Sequence, residues 1–179
     1  MPDDAAHAAN VVGALALVLA DRMTDEVGAA AAQAPSGAAA LSALRHFLPA
    51  DPTVDLVRQV LGLTHSGTVR LVDRLEAAGQ VRRRPGEDGR STAVQLTAAG
   101  RRAADRVTAA RGSVLQDALA VLDPAEREQL EDLAGRVLVG LRRGPGATRW
   151  TCRLCDTTAC GRLAGECPVA AADPPRFSD

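Results

Sequence analysis

The sequence predicts a mainly α protein with one two-stranded β-hairpin, and three observations lead to that class. The chain of 179 residues contains no Tyr, two Phe and one Trp. Its core therefore has to be assembled from Ala, Leu and Val, a composition that suits helix packing better than a β-sandwich. Apolar residues recur at helical spacing near both ends of the chain, whereas the segment VRRRPGEDGRSTAVQLT offers two short strands around a Pro/Gly/Asp turn. This length holds one domain of ordinary size and a tail.

The first helix is expected from about Ala5 to Gln33, with Val11, Leu15, Val18, Leu19 and Met23 on one face. Its apolar run Val11–Ala20 is too short to span a bilayer, and Asp3 and Asp4 stand where a leader would be basic. It reads as a buried helix of a soluble, cytoplasmic protein with no membrane partner. Pro35-Ser36-Gly37 ends it. A shorter helix, Ala38–Phe47, precedes the turn LPADP, and Thr53 then caps a third helix bearing Leu56, Val57 and Val60. Gly62 makes a tight turn. Thr64 caps a fourth helix that runs to Ala78 and is closed by Gly79.

Val81–Arg84 and Ser91–Leu96 are the expected hairpin strands. Thr97 starts a long helix with Ala103, Val107, Ala110, Val114, Ala118 and Val121 on one stripe. Asp123-Pro124-Ala125-Glu126 combines an N-cap, proline at the first helical position and glutamate at the third. The helix that follows carries Leu130, Leu133, Ala134, Val137, Leu138 and Leu141 as one apolar stripe. A domain this small cannot cover that stripe together with the first and long helices, whereas a second copy can. The expected division is 1–48 and 98–144 as dimerisation helices, 49–97 as a winged helix-turn-helix, and 145–179 as a cysteine-containing tail.

A helix, a glycine turn and a second helix with a polar start, followed by a basic hairpin, form a module suited to duplex DNA. Thr64, His65, Ser66, Thr68 and Arg70 lead the second helix, with Ser66, Thr68 and Arg70 expected to read bases. Val69, Val72 and Leu75, with Leu71 sharing, form its expected inner face, so Arg70 and Arg74 project from the other side. Arg82, Arg83 and Arg84 are expected on phosphates. At the hairpin tip Asp88 can fix the loop or the Arg90 guanidinium, which would let Arg90 enter a narrow minor groove. A surface ion pair worth under about 1 kcal/mol is the plainer reading of those two residues.

Charge distribution agrees. The formal net charge is −1, yet residues 1–64 carry 3 Arg against 7 acids and residues 65–112 carry 10 Arg against 5. A basic face on an acidic body is the footprint of a nucleic-acid binder. His7, His46 and His65 are too dispersed for a metal or catalytic set. No glycine-rich phosphate loop or His/Asp constellation is present, so the chain does not read as an enzyme. A metal- or redox-handling enzyme and an architectural DNA-binding protein are the competing classes.

Asp88-Gly89-Arg90 followed by Leu96-Thr97 fits the wing signature D-x-R-x5-L-T, and SGTVRLVDRLEAAG is similar to a recognition helix. Over about residues 8–143 the chain resembles the MarR family of winged helix-turn-helix transcription regulators. The resemblance implies a homodimer with interleaved terminal helices, bound to a pseudo-palindromic operator as a repressor and released by a small ligand or by oxidation. It does not extend to the tail.

All four cysteines, Cys152, Cys155, Cys160 and Cys167, lie in the last 28 residues with spacing C-x2-C-x4-C-x6-C and Pro168 after the last. Clustered cysteines outside an oxidising compartment point to metal or redox chemistry. The expected occupant is a Zn²⁺ ion held by all four thiolates, with an iron–sulfur cluster or a thiol switch as the alternatives. Arg149, Arg153 and Arg162 can lower thiol pKa values in each case. With few apolar residues of its own, the tail is expected to be disordered without metal.

Overall fold

The structure, a computed structural model, describes residues 4–46, 48–86, 89–141 and 150–172. Helices α1 (Asp4–Ala31), α2 (Pro35–His46), α3 (Val54–Leu61) and α4 (His65–Ala77) precede strands β1 (Val81–Pro85) and β2 (Thr92–Leu96). Helices α5 (Ala98–Leu119) and α6 (Pro124–Gly140) follow, and then a cysteine segment with a short 3-10 turn and the four-residue helix Pro168–Ala171. Phe47, the expected end of α2, lies outside the described residues.

Most helix starts are fixed by caps visible in the sequence. Thr53, Thr64 and Thr97 accept the amides of Leu56, Gly67 and Gly100. Asp123 and Glu126 form the reciprocal capping box, with proline inside it. Gly62 and Gly79 take left-handed φ values of 64° and 66°, which lets the chain turn after α3 and α4 without a Cβ penalty. The first boundary differs from expectation. Helix α1 stops at Ala31, and Pro35 begins α2 instead of ending α1, because proline lacks only an amide that the first turn leaves unpaired.

Helix α2 is the centre of the domain, buried from Gly37 through Leu44. Around it Leu41, Val57, Leu71, Val72, Leu75, Val94 and Val107 form one core. The strands pair antiparallel with Val81 opposite Leu96 and Arg83 opposite Val94. The segment before α3 joins them through a Thr53–Ala93 bridge and a Val94 amide donating to the Pro52 carbonyl at 2.9 Å. This contact ties the helix-turn-helix to the hairpin.

Gln80 links three elements. Its side-chain amide donates to the Ala31 carbonyl at 3.0 Å and its side-chain oxygen accepts from Gln33 at 3.0 Å. Its backbone carbonyl accepts the Thr97 amide at 3.0 Å and the Thr97 hydroxyl at 3.2 Å. A Cβ on Gly100 would meet that carbonyl oxygen at 1.8 Å. Gly100→Ala is therefore expected to push α5 off the hairpin and to destabilise the fold by about 3 kcal/mol, the range of core overpacking. Chemical denaturation checks this, with Gly112→Ala, which meets nothing, as the neutral control.

The terminal helices leave apolar faces open, as expected of stripes that a domain this small cannot cover, although α1 on its own was expected to be buried. In α1 only Val27 and Ala31 are buried, and Val11, Leu15 and Val18 are exposed at 56%, 48% and 54%. By length and composition α1 is also apolar enough to cross a membrane. On α6 the stripe stands open, with Leu133 at 47% and Val137 at 58%. The apolar faces predicted from helical periodicity find no cover among the described residues.

Candidate nucleic-acid interface and cysteine segment

Two faces of α4 divide cleanly. Thr68, Leu71, Val72 and Leu75 point into the core, while His65, Ser66, Arg70 and Arg74 are exposed. Thr68 is thus removed from the base-reading set. It is fully buried, and its hydroxyl donates to the Thr64 carbonyl at 3.0 Å, which satisfies the hydroxyl inside the fold. Val69, expected inside, is only half-buried. Spacing from Thr68 to Leu71, Val72 and Leu75 marks the true inner face. Ser66, Arg70 and Arg74 stand one turn apart along a single exposed line, above the Thr64 cap.

The pleat divides the wing arginines in the same way. Arg82 and Arg84 are exposed on one face, and the Arg82 guanidinium donates to the Gln95 side-chain oxygen opposite it at 2.6 Å. Arg83 turns the other way and is engaged. It donates to Asp73 at 2.6 Å and to Glu76, and its backbone amide reaches the Glu76 carboxylate at 3.0 Å. It straps the wing to α4 and leaves the expected phosphate contacts to its neighbours, a consequence of strand parity. These Arg83 donors, the backbone amide first, hold the Glu76 carboxyl below its ordinary pKa. The strap is accordingly intact above the usual glutamate range and is lost as pH falls through the lowered value.

This division has a mutational signature. Arg83→Ala is expected to speed amide exchange across β1 and β2, because it frees the wing. Arg84→Ala should leave exchange unchanged, weaken all duplexes alike and flatten the salt dependence of binding by about one phosphate per protomer. At the tip, Arg90 is exposed beside Gly89, whose φ is 65°. Asp88 lies outside the described residues.

The cysteine segment sits against the domain. The Trp150 indole lies 3.6 Å from where a Cβ on Gly62 would stand. Leu154 packs on the main core, and the Thr157 hydroxyl donates to the His46 carbonyl at 3.1 Å. Pro168 rests on Gly135 of α6. These contacts join the segment to residues of the domain outside it. His46, at the end of α2, bonds the Thr108 hydroxyl at 2.8 Å.

Cys152 and Cys167 are buried with Val169, and Cys155 packs half-buried against them. The Cys155 amide donates to the Cys152 carbonyl at 2.9 Å, closing the C-x2-C turn. Cys160 points elsewhere, its thiol 3.8 Å from the Thr157 carbonyl. Among the described residues no group of three or more His, Cys, Asp or Glu side chains could hold a metal ion. Cys152, Cys155 and Cys167 are neighbours in one small cluster, with the first two joined by a thiol hydrogen bond. A hydrogen bond from the Cys152 thiol, with Arg111 and Arg153 adding to it, lowers the Cys155 pKa to about 6, whereas that hydrogen bond and burial push Cys152 up. Alkylation should hence fall on Cys155 first and slow only as pH drops below about 6, which mass-resolved iodoacetamide labelling across pH would measure.

Residues 36–91 match the model of the MarR family. The segment covers α2, the helix-turn-helix and the first half of the wing. Among solved structures, the chain is similar to a MarR family protein from Bacillus stearothermophilus, with TM-score 0.67 and 24% identity over 78% of this chain and 96% of that one. The YusO protein of Bacillus subtilis gives TM-score 0.65 and 18% identity over 76% and 96%. Wild-type MarR of E. coli in its apo form gives 0.58 and 24% over 70% and 95%. No curated protein sequence matches the chain. The chain shares with these solved structures a mainly helical fold with a two-stranded antiparallel sheet.

Proposed function

We propose that this chain is a homodimeric, sequence-specific DNA-binding transcription regulator of the MarR type, acting as a repressor in the cytoplasm and not as an enzyme. The observation that carries this reading is the exposed line Ser66–Arg70–Arg74, flanked by Arg82 and Arg84 on the outer face of a wing that Arg83 fixes to the same helix. A helix of this size fits a major groove, its leading polar residues meet base edges, and the wing arginines reach phosphates.

The open stripes on α1 and α6 support a second copy as the partner. Together they leave Leu15, Val18, Leu133, Val137 and Leu141 exposed, more than scattered surface residues would account for. A two-fold pair would present two α4 helices about one helical turn apart on a pseudo-palindromic site. A cleft of about 320 Å³ between α2 and the wing, where Arg45, Arg82 and Arg101 surround Leu44 and Leu96, suits a small anionic effector with an apolar body.

Selection of bound sequences from a random duplex pool by the full chain tests this reading. The expected outcome is a pseudo-palindrome with half-sites about 10 base pairs apart. Binding without enrichment would mean an architectural protein, and no binding would remove DNA from the account.

A further inference from the structure

We infer that the cysteine segment is a brace that holds α6 at a fixed angle to the reading head. Gly135, Pro168 and Trp150 thereby position the two α4 helices of the dimer and decide which half-site spacing it accepts. The effect on spacing rests on the DNA-binding reading; the mechanical part does not. Among the described residues α6 buries only Gly135, and a Cβ there would meet the Pro168 ring at 3.0 Å. Val139, one turn on, is half-buried on the same side. Leu130, Leu133 and Val137 stand exposed on the opposite side. One face of α6 is thus taken by the chain's own tail, and the other is left for a second copy.

The other end of the segment grips the reading head. Trp150 lies against Gly62, whose left-handed turn closes α3 just before the Thr64 cap of α4. Leu154 packs on the core around α2, and the Thr157 hydroxyl donates to the His46 carbonyl at the end of that helix. Between its two ends the segment is bonded to itself. Cys152, Cys167 and Val169 share a small buried cluster, which joins the helix Pro168–Ala171 to the turn that carries Trp150. The Asp156 carboxylate accepts the Thr158 amide at 2.9 Å, and the Asp156 carbonyl accepts the Cys160 amide at 3.1 Å. The Gly161 carbonyl accepts the amides of Ala164 and Glu166 at 3.1 and 3.0 Å. A push at Pro168 is accordingly passed on to Trp150 instead of being absorbed on the way.

Leverage makes the Gly135 contact matter. At its start α6 is held by the turn at 120–123, where the Arg127 guanidinium donates to the Leu119 carbonyl at 3.2 Å. Gly135 lies about 16 Å farther along the helix, so moving its contact with Pro168 by about 1.5 Å tilts α6 by about 5°. Carried across a small domain, roughly 20 Å, and applied twice by the two-fold axis, that tilt displaces the α4 helices by roughly 4 Å, about one base-pair step.

The test uses the full-length chain, with Gly135→Leu at one end of the brace and Trp150→Ala at the other. Gly140→Ala, where a Cβ meets nothing within 4 Å, is the control. Without any DNA present, Gly135→Leu should shift the emission of Trp150, the sole tryptophan, to the red. In selection from a duplex pool whose spacer varies by single base pairs, the wild type and Gly140→Ala should prefer one spacing. Gly135→Leu and Trp150→Ala should keep the same half-site sequence but lose about tenfold of the preference for that spacing over its neighbours, within the usual range of coupling between sites. Sedimentation should find every variant dimeric, and a monomeric Gly135→Leu would overturn the brace by placing that face in the subunit contact. Trp150 emission indifferent to Gly135→Leu, or a single spacing kept by both brace variants, would overturn it while duplex reading itself stands. A wild type that enriches no duplex would instead overturn the DNA-binding reading, and the effect on spacing with it.

Discussion

Leu133→Glu is expected to yield a folded monomer whose operator affinity is lower by two orders of magnitude or more. Leu133 lies in the middle of the α6 stripe, between Leu130 and Val137, and is 47% exposed within its own chain. The substitution removes nothing from the core around α2, so the winged domain should keep its structure. In the proposed dimer the same position is covered by the partner's helices. A carboxylate there is desolvated without a counter-charge, a penalty of several kcal/mol. The effect on DNA binding is larger than any single contact, because two linked heads bind about 10²- to 10⁴-fold more tightly than one alone. Light scattering would report the mass, circular dichroism the fold, and fluorescence anisotropy the affinity. A Leu133→Glu protein that remains dimeric would place the interface elsewhere.

Arg70→Ala should produce the second largest effect, and its character matters more than its size. Arg70 is exposed at the middle of the line that Ser66 opens and Arg74 continues. No acid on α4 is bonded to it in the way that Asp73 and Glu76 hold Arg83. A bidentate arginine–guanine contact is worth about 1–3 kcal/mol of discrimination. Each half-site should thus lose roughly 5- to 150-fold of its preference for the correct base. Binding to scrambled duplex should change far less. Equal losses on selected and scrambled duplexes would make Arg70 a phosphate contact and shift base reading toward the helix start at His65 and Ser66.

The fold was legible where local chemistry decides it. Thr53, Thr64, Thr97 and Asp123 announce helix starts by their own hydroxyl or carboxylate, and Gly62 and Gly79 announce the turns. The site was legible as a module but not residue by residue. Thr68 looked like a base reader because it is polar and near the helix start. Only its spacing to Leu71, Val72 and Leu75 shows that it points inward, with the Thr64 carbonyl as its partner. Arg83 looked like its neighbours because three arginines run together. Strand parity assigns it to the side of Val81, but the acids it meets, seven and ten residues earlier, become visible only once the hairpin folds onto α4. For the tail, spacing carried the identity of the reactive residues and nothing about their surroundings. The contacts of Trp150, Leu154 and Thr157 with Gly62, the core and His46 are long-range and leave no periodic trace.

In the proposed assembly two copies of this chain read one duplex with paired heads. Its most direct measurement is the salt dependence of binding to the selected operator, with stoichiometry from sedimentation. Two chains per duplex are expected, with a slope of log K against log salt near −7, since roughly eight phosphates each contribute about −0.9. A scrambled duplex should bind at least about a thousandfold more weakly at moderate salt. One chain per duplex, a slope shallower than about −3, or equal affinity for both duplexes would contradict it.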